Sequence, residues 1–118
     1  MESSVRLVGE VGGLPADDFI RRLKALCDPV RVIIVSYMYG NNGEAFAPDL
    51  QYVTGLAQST VSHHLRLLRE AGLVDASHIE QRITPQQPRV LFTLNVAALR
   101  EVRDALANFG ASTLEQER

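Results

Sequence analysis

In this 118-residue chain the run QSTVSHHLR, from Gln58 to Arg66, gathers hydroxyl, imidazole and guanidinium groups within about three helical turns. Placed on a helix at about 100° per residue, Ser59, Ser62, His63 and Arg66 fall on one side, while Val61, His64, Leu65 and Leu68 fall on the other. The first set is small, polar and hydrogen-bonding. With Gln58 and Thr60 beside it near a helix N-terminus, it can enter a DNA major groove about 12 Å wide and reach base edges and flanking phosphates. A solvated helix face is the bland reading of the same pattern, and for an isolated helix it is the better one. Two other chemistries are weaker still. Ser59 and His63 stand one helical turn apart, as a nucleophile and base can, but no third residue orients the histidine and no glycine-rich loop offers an oxyanion site, so the chain does not read as an enzyme. His63 and His64 are adjacent, whereas helical metal ligands need a spacing of three or four.

The elements around this run favour the groove. Asp49 to Gly72 reads as two short helices joined at Gly55, where a positive φ costs little, with Leu50, Val53 and Leu56 turned to the packing side. Leu73 to Ile79 and Arg89 to Leu94 then read as paired strands, with Val90, Phe92 and Leu94 alternating onto one face. This is a helix-turn-helix followed by a wing. The wing tip, Glu80 to Pro88, holds two prolines and is not regular strand, while Arg82, Gln87 and Arg89 can meet phosphates or a minor groove. For each arginine, plain solubility is an equally good reading.

Size and charge set the limits. A chain of 118 residues fits one domain with a modest core, and its remaining apolar surface is suited to a partner. The formal charge of -2 excludes a generally basic coat, so DNA affinity must come from local placement of Arg66, Arg69, Arg82 and Arg89. No apolar run approaches the roughly 20 residues of a membrane span, and the N-terminus lacks a signal pattern. The expected location is cytoplasmic, with no membrane partner. The single cysteine, Cys27, cannot form an internal disulfide, in keeping with a reducing compartment.

The sequence predicts a flexible arm over residues 1–14, one domain over 15–110 and a frayed tail over 111–118. Pro15 suits the first position of an opening helix, with Asp17 and Asp18 at the positive end of its dipole and Phe19, Ile20, Leu23 and Leu26 as an apolar stripe. Asp28 can cap a second helix that starts at Pro29, although Val32 to Val35 have strand propensity and leave helix and strand both open on propensity alone. Asn41-Asn42-Gly43 is a turn, and Pro48 marks the first turn of the third helix. Asn95 caps the last helix, whose Leu99, Val102, Leu106 and Phe109 recur at coiled-coil-like spacing; this seam can pack within the chain or against a second copy. Gly110 ends that helix.

From Leu23 to Phe109, about three quarters of its length, the chain resembles the ArsR/SmtB family of bacterial winged-helix regulators. The resemblance lies in LKALCDPVRVIIV (Leu23 to Val35), GLAQSTVSHHLRLLREAGLV (Gly55 to Val74) and VLFTL (Val90 to Leu94), in the family's order and spacing. It implies a mainly helical fold with a two-stranded wing, about five helices in the order ααααββα, the second apolar run among them. It also implies a homodimer through the first and last helices, with Phe19, Leu23, Leu99, Val102, Leu106 and Phe109 at the interface.

The function implied is a sequence-specific DNA-binding regulator, most naturally a repressor. It would bind double-stranded operator DNA as an inverted repeat with half-sites roughly 34 to 36 Å apart. An effector, whether a small molecule, a metal or a protein co-regulator, would act by favouring the dimer geometry that no longer fits that spacing. The family's familiar metal motifs are lacking. At the third helix the two cysteine positions are occupied by Phe46 and Pro48, and the last helix supplies Glu101 and Asp104 but no histidine. The cofactor therefore stays unknown. A weak divalent-metal site assembled from Asp, Glu and His of two subunits stays open, as does redox chemistry at Cys27, although a lone cysteine beside Leu26 reads first as a buried packing group. His78 has no partner visible in sequence. The alternative from another class is a winged-helix module that binds protein.

Overall fold

The computed structural model describes residues 9–109. An N-terminal hairpin, β1 (Glu10–Val11) and β2 (Leu14–Pro15), leads into α1 (Ala16–Leu26), α2 (Pro29–Gly40), β3 (Glu44–Phe46), α3 (Ala47–Thr54), α4 (Gln58–Glu70), the wing strands β4 (Val74–His78) and β5 (Val90–Leu94), and α5 (Val96–Ala107). The five expected helices and the two-stranded antiparallel wing are all present. Two features differ. Glu44–Phe46, expected only as a lead into the third helix, pairs antiparallel with β5 and extends the wing sheet to the order β3-β5-β4. The expected flexible arm is folded at its described end, where β1 and β2 pair and Leu14 is buried against Phe19, Val102 and Ala105.

Gly12 explains how the hairpin sits so close. A Cβ built there would lie 2.2 Å from the Ala105 carbonyl oxygen, so only glycine permits the approach to α5. Pro15 consequently ends β2 and stands at the N-cap of α1, one residue earlier than its expected place inside the helix. Residues 1–8, the expected stop at Gly110 and the tail lie outside the described residues.

Local chemistry accounts for the helix boundaries. Asp28 Oδ1 accepts from the backbone N–H groups of Val30 at 2.9 Å and Arg31 at 3.2 Å, and Pro29 occupies the first turn, so α2 is helical despite its β-branched run. The two N–H groups satisfied by that cap would otherwise be orphan donors at the start of the helix. Asn95 caps α5 through Ala98 N–H at 3.1 Å. Gly55, at φ 71°, closes α3 in the left-handed region and makes the turn into α4.

The main core lies where α2, α3 and α4 meet the sheet. Ile34, Met38, Leu50, Val61, Leu65, Leu68 and Leu73 are fully enclosed there; they come from α2, α3, α4 and the turn that follows α4. At about 1.5 to 3 kcal/mol for each such side chain, this burial fixes the rotation of α4 about its own axis. A second cluster of Leu14, Phe19, Val102 and Ala105 joins the hairpin, α1 and α5. Arg22 reinforces the α1–α5 contact through Glu101, at 2.6 Å.

Candidate nucleic-acid interface

Because Val61, Leu65 and Leu68 are locked into the core, the opposite side of α4 is displayed to solvent. Gln58, Ser59, Thr60, Ser62, His63, Arg66 and Arg69 are all exposed, in one unbroken polar face that begins at the first turn. The α3–Gly55–α4 turn carries this face outward, and the wing stands beside the helix C-terminus. Arg66 is held over the face by two neighbours: Nη2 lies 3.0 Å from His63 Nδ1, and Nε lies 3.9 Å from Glu70 Oε2. A guanidinium only donates, so in this contact His63 accepts through Nδ1. Arg69 is exposed and its side chain makes no hydrogen bond or ion pair among the described residues.

The wing tip uses its polar groups differently. Arg82 Nη1 donates to the carbonyls of Pro85 at 2.9 Å and Gln87 at 3.3 Å, and Gln87 Oε1 accepts from Ile83 N–H at 2.8 Å. Both side chains therefore hold the loop in shape. Arg89, the third wing residue singled out from the sequence, is exposed with no partner for its guanidinium among the described residues.

On the inner side of α4, His64 is half-buried and its Nδ1 lies 3.1 Å from Arg31 Nη1. Burial lowers the pKa of His64 below the usual histidine value; Asp28 pulls the other way, and Arg31 and His63 add to the lowering. At Asp28, partial desolvation opposes ionisation, but the two backbone donors, Arg31 and His64 outweigh it and hold the carboxyl below its ordinary range.

Sequence reasoning missed three residues. Arg31 is one; its signal was a cation three residues after a helix-capping aspartate. Tyr52 on α3 is 89% exposed and Ile83 at the wing tip is 91% exposed. Both are large side chains in otherwise polar surroundings, and that incongruity was readable.

The effector candidates fare unevenly. Cys27, expected as a buried packing group, is exposed at the C-cap of α1, because its backbone turns back to Lys24 and leaves the thiol outside the α1–α2 junction. Glu101 and Asp104 are engaged by Arg22 and Arg103. No group of three His, Cys, Asp or Glu side chains that could hold a metal occurs among the described residues. His78 is exposed on β4. Of the expected interface residues, Phe19 and Val102 are each 3% exposed and pack α1 against α5, Leu23 and Leu99 are half-buried, and Leu106 and Phe109 are 48% and 67% exposed. Leu26, Tyr39, Leu99, Val102 and Leu106 line an open apolar groove of about 700 Å³ between α2 and α5. No helix among the described residues is long and apolar enough to cross a membrane.

Comparison with known proteins agrees with this geometry. A family model described as "Bacterial regulatory protein, arsR family" matches residues 28–76, which hold the helix-turn-helix and the first wing residues. The HTH-type transcriptional regulator YgaV of Escherichia coli is 39% identical over 61 residues, 52% of this chain and 61% of that protein. NmtR of Mycobacterium tuberculosis, another HTH-type transcriptional regulator, is 44% identical over 52 residues, 44% of this chain and 42% of that protein. The chain thus spans less than two thirds of either relative. Among solved structures, the transcriptional repressor BigR from Xylella fastidiosa superposes with a TM-score of 0.57 at 28% identity, covering 75% of this chain and 82% of that one. The cadmium metal-sensor CMTR from Mycobacterium tuberculosis superposes with a TM-score of 0.51 at 30% identity, covering 70% and 78%.

Proposed function

Since the chain belongs to the arsR family of bacterial regulatory proteins, we propose that it is a sequence-specific, DNA-binding transcriptional repressor that acts as a homodimer on an inverted-repeat operator. It is a regulator and not an enzyme. The observation that carries this reading is the polar face of α4, continuous from Gln58 to Arg69 and backed by a core that sets which side of the helix faces solvent. Ser59, Ser62, His63 and Arg66 read base edges, Gln58 and Thr60 lie at the helix entry, and Arg69 and Arg89 neutralise phosphates. Arg82 and Gln87 act by shaping the wing that carries Arg89. Repression as the sense of control follows the description of BigR as a repressor.

The exposed apolar residues Leu106 of α5 and Phe109 just beyond it, together with Tyr39 of α2, support a dimer seam on that side of the molecule. Leu106→Glu is expected to yield a monomer in sedimentation; a variant that still sediments as a dimer would move the seam elsewhere. The effector is open between a divalent metal held by two subunits and oxidation of Cys27, whose exposure gives the second route its support.

The deciding experiment is binding of the purified protein to DNA from its own promoter region, titrated with salt and repeated with divalent metals and with oxidants. Specific, salt-sensitive binding establishes the regulator, and the additive that abolishes it names the effector class. Absence of specific binding in every condition would sink the proposal in favour of a winged-helix module that binds protein.

A further inference from the structure

His64 is the one polar residue of α4 that faces the protein, between buried Val61 and Leu68, and what holds it reaches across three elements. Its Nδ1 lies 3.1 Å from Arg31 Nη1. Arginine has no acceptor, so Nδ1 carries the lone pair and the imidazole proton is on Nε2. Arg31 is itself fixed at both ends. Its Nε donates to the Ala25 carbonyl of α1 at 2.6 Å, and its backbone N–H donates to the capping carboxylate of Asp28 at 3.2 Å. The side chains of Arg31 and His64 retain only 14% and 13% of their exposure. A charge-assisted hydrogen bond sheltered to that degree is stronger than a surface pair.

We propose that Arg31 is a positioning residue for the recognition helix: it ties α4 to the α1–α2 junction through neutral His64, and operator affinity falls when His64 takes up a proton. This inference rests on the DNA-binding reading given above. Protonation puts an N–H where the lone pair was, 3.1 Å from a guanidinium that also donates. The acceptor left for that proton is Asp28 Oδ1, 4.0 Å away and already accepting from Val30 and Arg31. To reach it the imidazole must displace the guanidinium, and the ring moves with the helix that carries His63 and Arg66.

The charged surroundings set the direction. From α2, Asp28 attracts the proton and Arg31 opposes it; from α4, His63, its ring centroid 5.4 Å from that of His64, opposes it when charged. From α1, Arg21 and Lys24 line the cleft next to Arg31, with Glu70 of α4 on the same cleft. The sign of the effect separates this tie from direct contact. A histidine in direct contact with phosphate would strengthen binding on acidification, whereas the His64 tie is lost as pH falls.

The test measures operator affinity at constant ionic strength from about pH 8 to about pH 5.5, across the histidine range. The wild-type chain is expected to lose affinity on the order of tenfold on acidification, the worth of one charge-assisted hydrogen bond. His63→Gln keeps this acid loss. His64→Gln, which preserves an acceptor but has no proton to gain, removes it whatever its affinity at the upper pH. Acid loss that survives His64→Gln, or wild-type affinity that is flat or rises on acidification, would overturn the tie while leaving the regulator reading intact. A second measurement needs no DNA: imidazole nitrogen NMR at about pH 8 is expected to show His64 unprotonated at Nδ1, and a proton found there overturns the inference. A chain that binds no specific DNA at any pH overturns both readings, and the nitrogen spectrum then reports separately on whether the tie exists.

Discussion

Along α4 the side chains of Gln58, Ser59, Thr60, Ser62 and Arg69 point into solvent without partners among the described residues, whereas across the wing tip Arg82 and Gln87 close on the loop's own backbone. Composition is similar in the two places; what differs is how the backbone is satisfied. A helix meets its own hydrogen-bonding needs, so its side chains are free for a ligand. The wing tip, interrupted by Pro85 and Pro88, has carbonyls and N–H groups with no ladder to join, and side chains must satisfy them. A polar residue in a sequence is therefore a better binding candidate on a regular element than in an irregular loop.

Mutations distinguish the free face of α4 from the self-bound wing tip. The largest effect is expected from Leu65→Ala, which opens a cavity behind the polar face of α4; loss of roughly 2 to 5 kcal/mol in denaturant unfolding is expected. A loss below that range would mean that α4 is not held by the core and that its free face is not preset. Next, Arg66→Ala should cost on the order of 1 to 3 kcal/mol of operator affinity and relax preference at one base pair, read by binding to a set of single-site operator variants. Unchanged affinity would remove Arg66 from the contact set.

Asn95→Ala tests what joins the two regions. Asn95 caps α5 and its Nδ2 donates to the Gly72 carbonyl at the end of α4, at 3.1 Å. The variant should lose about 0.5 to 2 kcal/mol of stability by thermal unfolding. Within the wing, Arg82→Ala should speed protease cleavage in residues 80–88 and weaken all DNA sequences alike, with the salt slope kept, while Arg89→Ala should lower that slope by about 1. The opposite assignment of slopes would mean that Arg82 leaves the loop to meet phosphate.

The smallest expected effect is on stability against pH. The folded chain holds the pKa of His64 below its unfolded value, so it disfavours the protonated form. The corresponding stability is fully present above about pH 6.5 and is lost as pH falls through the lowered folded value. Denaturation midpoints compared between wild type and His64→Gln check this, and equal pH dependence in the two would remove His64 as the source.

Most of the helical framework was readable. Asp28-Pro29, Asn95 and Gly55 are local signals whose effect is complete within a few residues, and each sits where its chemistry predicts. The inward and outward sets of α4 were readable too, because the period of a helix converts spacing into direction. The strand at Glu44–Phe46 was not, since its cause is the free edge of β5, which lies far along the chain. Nor was the hairpin at Glu10–Pro15, whose position depends on a close approach between Gly12 and Ala105.

Caps, glycine turns and apolar periodicity act locally, so the helical segments and the polar side of α4 are legible from residue type and spacing. Only the tertiary structure decided which polar groups remain free. Arg82 is engaged in its loop, Arg31 reaches His64 across 33 positions, Cys27 is exposed and Phe19 enclosed. The physical reason is that hydrogen-bond satisfaction and burial are settled by whatever the fold brings into contact, and residue type and spacing along the chain carry no record of those partners.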